Sequence, residues 1–170
     1  MRTTLRLTTI GYEGVGLEAF LATLKSAGVT HLLDVRELPI SRRKGFSKTA
    51  LSQALASFGI SYQHERALGA PKQVRHRLRA DGDLKRYFAD FREYLATQDS
   101  VLEQLSKTLA GCVTLLCFER DPTECHRSVV VAALAKRLGI NFLHLLVSTD
   151  DTKQRLPRSR AHSRQGLPAA

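Results

Sequence analysis

The segment 117–127 is the densest group in this sequence of side chains that could carry out chemistry. It reads CFERDPTECHR and contains two thiols, three carboxylates and an imidazole. Thiols act as nucleophiles or redox groups, and carboxylates and imidazoles transfer protons near neutral pH. We therefore take Cys117, Glu119, Cys125 and His126 as the candidate catalytic residues.

The same segment carries the signals of a helix start. Asp121 followed by Pro122, with Glu124 three positions after Asp121, has the form of a capping box. Cys125 would then lie in the first turns of the helix, where the helix dipole favours the thiolate. Arg127 in the same turns would suit a phosphate or carboxylate. We expect a reactive thiol beside an anion-binding arginine.

Two other interpretations of the cysteines remain open. Cys117 alternates with Glu119 along an apolar segment, so it could simply be a core residue. A metal site would use Cys117, Cys125 and His126, with His64 as a further ligand. Seven residues separate the two cysteines, which is not the spacing of a tight zinc knuckle. We predict no metal and no cofactor.

A second polar segment, DVRELPISRRKGF at 34–46, follows an apolar run. Arg36 and Arg42 could clamp an anion, and the Ser41 hydroxyl could donate a hydrogen bond to it. Phe46 could stack on a base, although packing against the body is the preferred interpretation. The candidate ligand-binding residues of this segment are Asp34, Arg36, Ser41, Arg42 and Phe46.

Aromatic and imidazole side chains follow two further apolar runs. Tyr12 comes after the first run, and Tyr62 and His64 end the third. His64 could be a general base, but a single histidine is more often a hydrogen-bonded structural residue. Tyr12, Tyr62, His64 and Arg127 complete the predicted phosphate- or ligand-binding set.

Alternating strand and helix patterns must position these side chains. Short apolar runs are separated by helical periodicities of ten or more residues, which favours right-handed crossovers and a mostly parallel sheet. We predict a single three-layer, Rossmann-like α/β domain with strand order 3-2-1-4-5 and a helical insertion at about 71–109. The five strands are expected at 5–10, 29–35, 60–63, 112–118 and 140–147. In such sheets the ligand site lies at the carboxyl ends of the strands.

Length and composition limit the class of protein. The 170 residues are 43% hydrophobic and 25% charged, as in a folded domain, which excludes disorder throughout. We predict one domain at 1–149 and a basic, disordered tail at 150–170. The sequence shows neither the long apolar run of a membrane span nor the pattern of a signal peptide, and the few cysteines favour reduced thiols. The expected location is therefore cytoplasmic, without membrane association.

The net charge of +10 is concentrated in three segments, 36–48, 62–79 and 151–170, each of which carries +4. Clustered arginine and lysine are typical of polyanion binders, because contacts with phosphates release condensed counterions. A solvated basic surface is the alternative. The charge therefore favours an anionic ligand such as a nucleotide or a nucleic acid, and it leaves the oligomeric state open.

The ordered series of motifs resembles the family known as domain of unknown function 488, over about residues 8–146. The matching motifs are TIGYEG at 9–14, DVR at 34–36 with Pro39, Ser41-Arg42 and Gly45-Phe46, Gly59-Ile60 with Tyr62 and His64, Leu68-Gly69, and LCFE at 116–119 with CHR at 125–127. The resemblance implies that the candidate residues above are recurrent positions of the family. It implies no particular reaction.

Two functions from different classes follow. The first is an enzyme that acts on a phosphate-bearing substrate, a nucleotide or a nucleic acid, with a Cys/Glu/His/Arg constellation. The second is a non-catalytic DNA- or RNA-binding module in which the cysteines are structural. A protein-interaction role for helices at 83–109 is a third alternative, supported only by ordinary core patterns.

Overall fold

Five strands form one parallel sheet in the computed structural model, which describes residues 4–148. Each strand coincides with one of the short apolar runs. The strands are β1 Arg6–Gly11, β2 His31–Asp34, β3 Ser61–His64, β4 Cys112–Cys117 and β5 Phe142–Leu145. The helices are α1 Leu17–Ser26, α2 Lys48–Ala56, α3 Lys72–Asp81, α4 Leu84–Ala96, α5 Asp99–Thr108 and α6 Arg127–Leu138. The α/β fold class is confirmed.

The strand order is β3-β2-β4-β1-β5, so the predicted order 3-2-1-4-5 is wrong for the two central strands. β4 lies between β1 and β2, with Cys117 in register with Gly11 and Leu116 in register with Asp34. All six β4 residues are buried, as a strand with neighbours on both sides requires. The predicted order made β1 and β2 neighbours, whereas the crossover through α1 passes over the position that β4 occupies.

Helices cover both faces of the sheet and form two cores. On one face, α1 and α2 bury Phe20, Leu24, Leu51 and Leu55. On the other face, α4, α5 and α6 form the second core. The helices α3, α4 and α5 all lie between β3 and β4, and this inserted part supplies most of the second layer.

The parallel strands place their carboxyl ends at one edge of the sheet. The chain approaches itself most closely there at Gly11, where an added Cβ would lie 1.9 Å from the carbonyl oxygen of Glu119. Only glycine allows this approach, because a carbon atom cannot come so near a backbone oxygen. The end of β1 is thereby held directly against the loop that follows β4.

Two further predictions concern the ends of the chain. The predicted basic tail at 150–170 and residue 149, the predicted end of the domain, lie outside the described residues.

Between residues 4 and 148, no helix has both the length and the apolar character needed to cross a membrane. The longest, α4, has 13 residues.

Candidate active site

A cleft of about 640 Å³ opens at the carboxyl ends of β1, β2 and β4. Its walls come from the loop after β2, from α3 and from the segment after β4. The candidate residues that line it are Tyr12, Arg36, Ser41, Arg42, Cys117, Glu119 and His126. The remaining candidates, Asp34, Phe46, Tyr62, His64, Cys125 and Arg127, do not line the cleft. About half of the candidate residues therefore lie on the surface of the cleft. The others make contacts inside the protein beneath it.

Cys117, Glu119 and His126 meet at the floor of the cleft. The Cys117 Sγ atom lies 3.7 Å from His126 Nδ1 and 3.4 Å from Glu119 Oε2. The other ring nitrogen of the imidazole, Nε2, lies 2.8 Å from the Val35 carbonyl oxygen. Because a carbonyl only accepts hydrogen bonds, Nε2 carries a proton, and Nδ1 is the nitrogen that faces the thiol.

Cys125 lies behind this floor and is fully buried. Its Sγ, the Cys117 Sγ and a His126 ring nitrogen all lie within 4.8 Å of one another. Burial raises the pKa of the Cys125 thiol well above its ordinary value, and the interaction with Cys117 raises it further. Burial lowers the pKa of His126, but its interaction with Cys125 and its bond to Val35 leave that pKa above the ordinary value.

The local structure around Cys125 differs from the prediction. Asp121 does act as a cap, since its side chain accepts a hydrogen bond from the Thr123 backbone N–H at 2.8 Å. It caps only a short 3₁₀ turn, Pro122–Glu124, and the α-helix expected here begins instead at Arg127. Cys125 therefore has an extended backbone ahead of the helix. Its environment favours the neutral thiol over the expected thiolate.

Arg127 is fully buried and binds backbone carbonyls. Its guanidinium donates to Thr9 Oγ1 at 3.2 Å, to the Glu119 carbonyl and to the Arg120 carbonyl at 3.1 Å. These bonds hold the loop after β4 against β1. Arg127 therefore positions Glu119 and has no face on the cleft.

Arg36 and Asp34 form a buried ion pair under the cleft. Arg36 Nε and Nη2 donate to the two Asp34 carboxylate oxygens at 2.8 and 2.6 Å, while Nη1 donates to the Tyr12 hydroxyl and the Phe46 carbonyl. The Tyr62 hydroxyl donates to Asp34 Oδ2 at 2.6 Å. Burial and this bond raise the pKa of Tyr62. The Arg36 guanidinium is thus largely occupied by protein acceptors.

Phe46, His64 and Ser41 also have internal contacts. Phe46 is buried and stacks on the Tyr12 ring, with 4.5 Å between centroids. His64 Nε2 lies 2.8 Å from the Arg36 carbonyl oxygen and so donates to it. Ser41 Oγ accepts a hydrogen bond from the Arg43 backbone N–H at 3.1 Å. These three residues shape the loop after β2, and Ser41 alone of them reaches the cleft.

The inserted helices add cleft residues that the sequence interpretation missed. Arg75, Arg79 and Tyr87 also line the cleft. Arg75 pairs with Glu37, whereas Arg79, like Arg42, has no hydrogen-bond or ion-pair partner among the described residues. Burial and then the charges of Cys125, Glu119 and Cys117 raise the pKa of Tyr87. The basic segment 62–79 was the available signal, because positions 75 and 79 share one helix face.

Comparison with known proteins adds a family. The family model described as domain of unknown function DUF488 matches residues 16–134. The match covers well over half of the chain and confirms the resemblance seen in the motifs. No curated protein and no solved structure matches the sequence. A reaction must therefore be inferred from the geometry of the cleft.

Proposed function

Because the chain belongs to the DUF488 family of domains of unknown function, we propose its function from the geometry of the cleft. The proposed function is that of an enzyme acting on a phosphate-bearing substrate, either a nucleotide or a nucleic acid. One observation carries this proposal. Two guanidinium groups that have no partner among residues 4–148 share a single cleft with a thiol, an imidazole and a carboxylate. Such convergence of anion-binding and proton-transferring groups is typical of active sites.

Arg42 and Arg79 are the groups that would bind the phosphate. Both are exposed, both line the cleft, and neither is held by another described side chain. A guanidinium binds phosphate oxygens with two parallel N–H bonds, which gives both affinity and orientation. Arg36 and Arg127 bind protein acceptors instead. Of the arginines expected to bind the anion, Arg42 therefore keeps this role, and Arg79 is added to it.

Glu119 and the Cys117–His126 pair would supply the chemistry. Glu119 is half-buried and lies where a bound substrate would meet the thiol. A carboxylate at this place can accept or donate a proton during reaction. His126 is held by the Val35 carbonyl, so its orientation toward Cys117 is set before substrate arrives.

The alternative is a non-catalytic nucleic-acid-binding module. Phe118 favours it, because its ring is 42% exposed, lines the cleft and meets Tyr12 edge-on with 5.3 Å between centroids. An exposed ring beside arginines is a stacking platform for a base. This face is equally compatible with an enzyme that holds a base while it acts on the phosphate.

We also propose a cytoplasmic location. Cys112, Cys117 and Cys125 are free cysteines. Unpaired thiols persist in reducing compartments. A cleft with a thiol at its floor would depend on such a compartment.

The test is a turnover screen on nucleoside mono-, di- and triphosphates, cyclic nucleotides and short DNA and RNA oligomers. Arg42→Ala and Arg79→Ala should each raise KM by about tenfold, as expected for a lost charged hydrogen bond. Arg92→Ala is the matched control, because Arg92 is an exposed arginine outside the cleft. Glu119→Gln should lose turnover and keep binding.

The outcomes separate the two functions. Salt-sensitive binding without turnover of any substrate would favour the binding module. Turnover that is equal in Arg42→Ala, Arg79→Ala and Arg92→Ala would show that the cleft is not the phosphate site. Neither binding nor turnover on the whole panel would remove both functions.

A further inference from the structure

We propose that Cys117, Cys125 and His126 bind a zinc ion at the floor of the cleft, with a fourth coordination position open toward the substrate. The site stands on its own geometry, while its catalytic use rests on the proposed function. It reverses the expectation of no metal, which depended on sequence spacing. The ligands come from the end of β4 and from the residues just before α6, and the fold brings them together.

The distances suit tetrahedral zinc. Zinc lies about 2.3 Å from thiolate sulfur and about 2.0–2.1 Å from imidazole nitrogen, so ligand atoms in a tetrahedron are separated by about 3.5–3.8 Å. The Cys117 Sγ to His126 Nδ1 distance is 3.7 Å. All three ligand atoms lie within 4.8 Å of one another. Movements of no more than about an ångström would bring them to one ion.

His126 already has the second contact that metal-binding histidines make. Its Nε2 donates to the Val35 carbonyl at 2.8 Å, which leaves Nδ1 to face the sulfur atoms. Such a bond fixes the ring orientation and makes the coordinating nitrogen more basic. The Phe91 ring, 5.0 Å away centroid to centroid, also restricts the imidazole.

The charge of the cluster suits a divalent ion. Coordination replaces the proton of each thiol, and the two resulting thiolates neutralise the double positive charge. A neutral cluster can remain buried, whereas a single thiolate at Cys125 would be an unpaired buried charge. Thiolate and imidazole ligands select zinc over the harder ions Mg²⁺ and Ca²⁺.

The fourth position is on the cleft side of the cluster. Cys117 and His126 line the cleft, whereas Cys125 does not. Substrate or water would therefore reach the zinc ion from the side of Cys117 and His126. Glu119 Oε2, 3.4 Å from Cys117 Sγ, lies next to that approach. Three protein ligands with one open position characterise catalytic zinc, which polarises a phosphoryl oxygen or activates water.

Metal content of the full chain tests this proposal. Protein purified without chelators, with any affinity tag removed, should contain about one zinc ion per chain. Inductively coupled plasma mass spectrometry measures this content. After chelation and refilling with Co²⁺, it should show thiolate-to-cobalt charge transfer and the strong visible bands of tetrahedral cobalt. This second measurement uses the wild-type chain, so it does not depend on whether a variant folds.

Cysteine variants locate the site. Cys117→Ser and Cys125→Ser should each weaken zinc binding at least about 100-fold in competition with a chelating dye. Cys112→Ser is the matched control, because Cys112 is also buried but its sulfur faces the Ala27 carbonyl, 3.8 Å away. It should keep full zinc content. Circular dichroism would confirm that each variant is folded.

Two results would overturn the site. They are a wild-type chain that takes up neither zinc nor tetrahedral cobalt, and zinc binding that survives loss of both Cys117 and Cys125. Full turnover by the metal-free chain would overturn the catalytic use of the zinc ion. The last result would leave the proposed function in place with the thiol as the reacting group. Zinc bound as expected, with no turnover of any phosphate substrate, would instead retain the metal site and remove the proposed function.

Discussion

The His126 imidazole joins two strands at the candidate active site, since its Nε2 donates to the Val35 carbonyl while its Nδ1 faces Cys117 Sγ across 3.7 Å. Val35 directly follows β2, and Cys117 ends β4. One side chain therefore contributes both to the stability of the fold and to the candidate active site. Its hydrogen bond to the Val35 carbonyl leads to a prediction about stability.

His126→Ala should lower the free energy of unfolding by about 1–3 kcal/mol, because the buried Val35 carbonyl loses its donor. Urea denaturation in the presence of a chelator measures this term without any contribution from a metal. His76→Ala, at an exposed histidine, is the control and should change stability by less than about 0.5 kcal/mol. Equal effects of the two substitutions would contradict the prediction.

Asp34→Asn should destabilise the protein by about 3–5 kcal/mol, because it leaves the buried Arg36 charge without its counter-ion. Chemical denaturation at neutral pH is the measurement. Arg77→Ala removes an exposed ion pair with Asp90 and should cost no more than about 1 kcal/mol. The prediction fails if the buried pair proves no more important than the exposed one.

Tyr62→Phe should reduce the loss of stability at high pH. The folded pKa of Tyr62 is raised, so this group contributes stability that is complete below the ordinary tyrosine pKa of about 10 and is lost as pH rises above it. Wild type should therefore lose more stability than Tyr62→Phe between about pH 9 and pH 11. Parallel curves for the two proteins across that range would contradict the raised pKa.

Gly11→Ala should destabilise the fold by about 1–3 kcal/mol or more, because the new Cβ would lie 1.9 Å from the Glu119 carbonyl oxygen. Gly16→Ala is the control, since a Cβ at that position meets no atom within 4 Å. Thermal unfolding compares the two. In Gly11→Ala the displaced Glu119 should also lower turnover in the screen described above.

Local sequence patterns were sufficient to predict the α/β fold class and the edge of the sheet at which the cleft opens. Apolar runs of the right length became strands, and the carboxyl ends of β1, β2 and β4 do form one cleft. The order of the central strands was not accessible in this way. Burial on both faces indicates an interior strand but does not say which strands are its neighbours.

The role of each arginine was equally inaccessible from residue type. Arg36, Arg42 and Arg127 are the same residue type, yet Arg36 and Arg127 bind internal acceptors. Of these three, Arg42 alone has no partner within residues 4–148. Which guanidinium remains available depends on carbonyls and carboxylates that lie far away along the chain. Arg79 could not be predicted because α3 is distant along the chain from the other cleft segments. It lies beside the cleft only once the chain is folded.

The position of β4 has a consequence for synthesis of the chain. Both strands that pair with β1 come late, since β4 begins at Cys112 and β5 at Phe142. While the nascent chain has not yet emerged beyond α5, β1 therefore has neither of its neighbouring strands. The unpaired backbone groups of β1 then need protection from aggregation. Because the cleft requires β1, β2 and β4 together, its residues assemble only after most of the protein has left the ribosome.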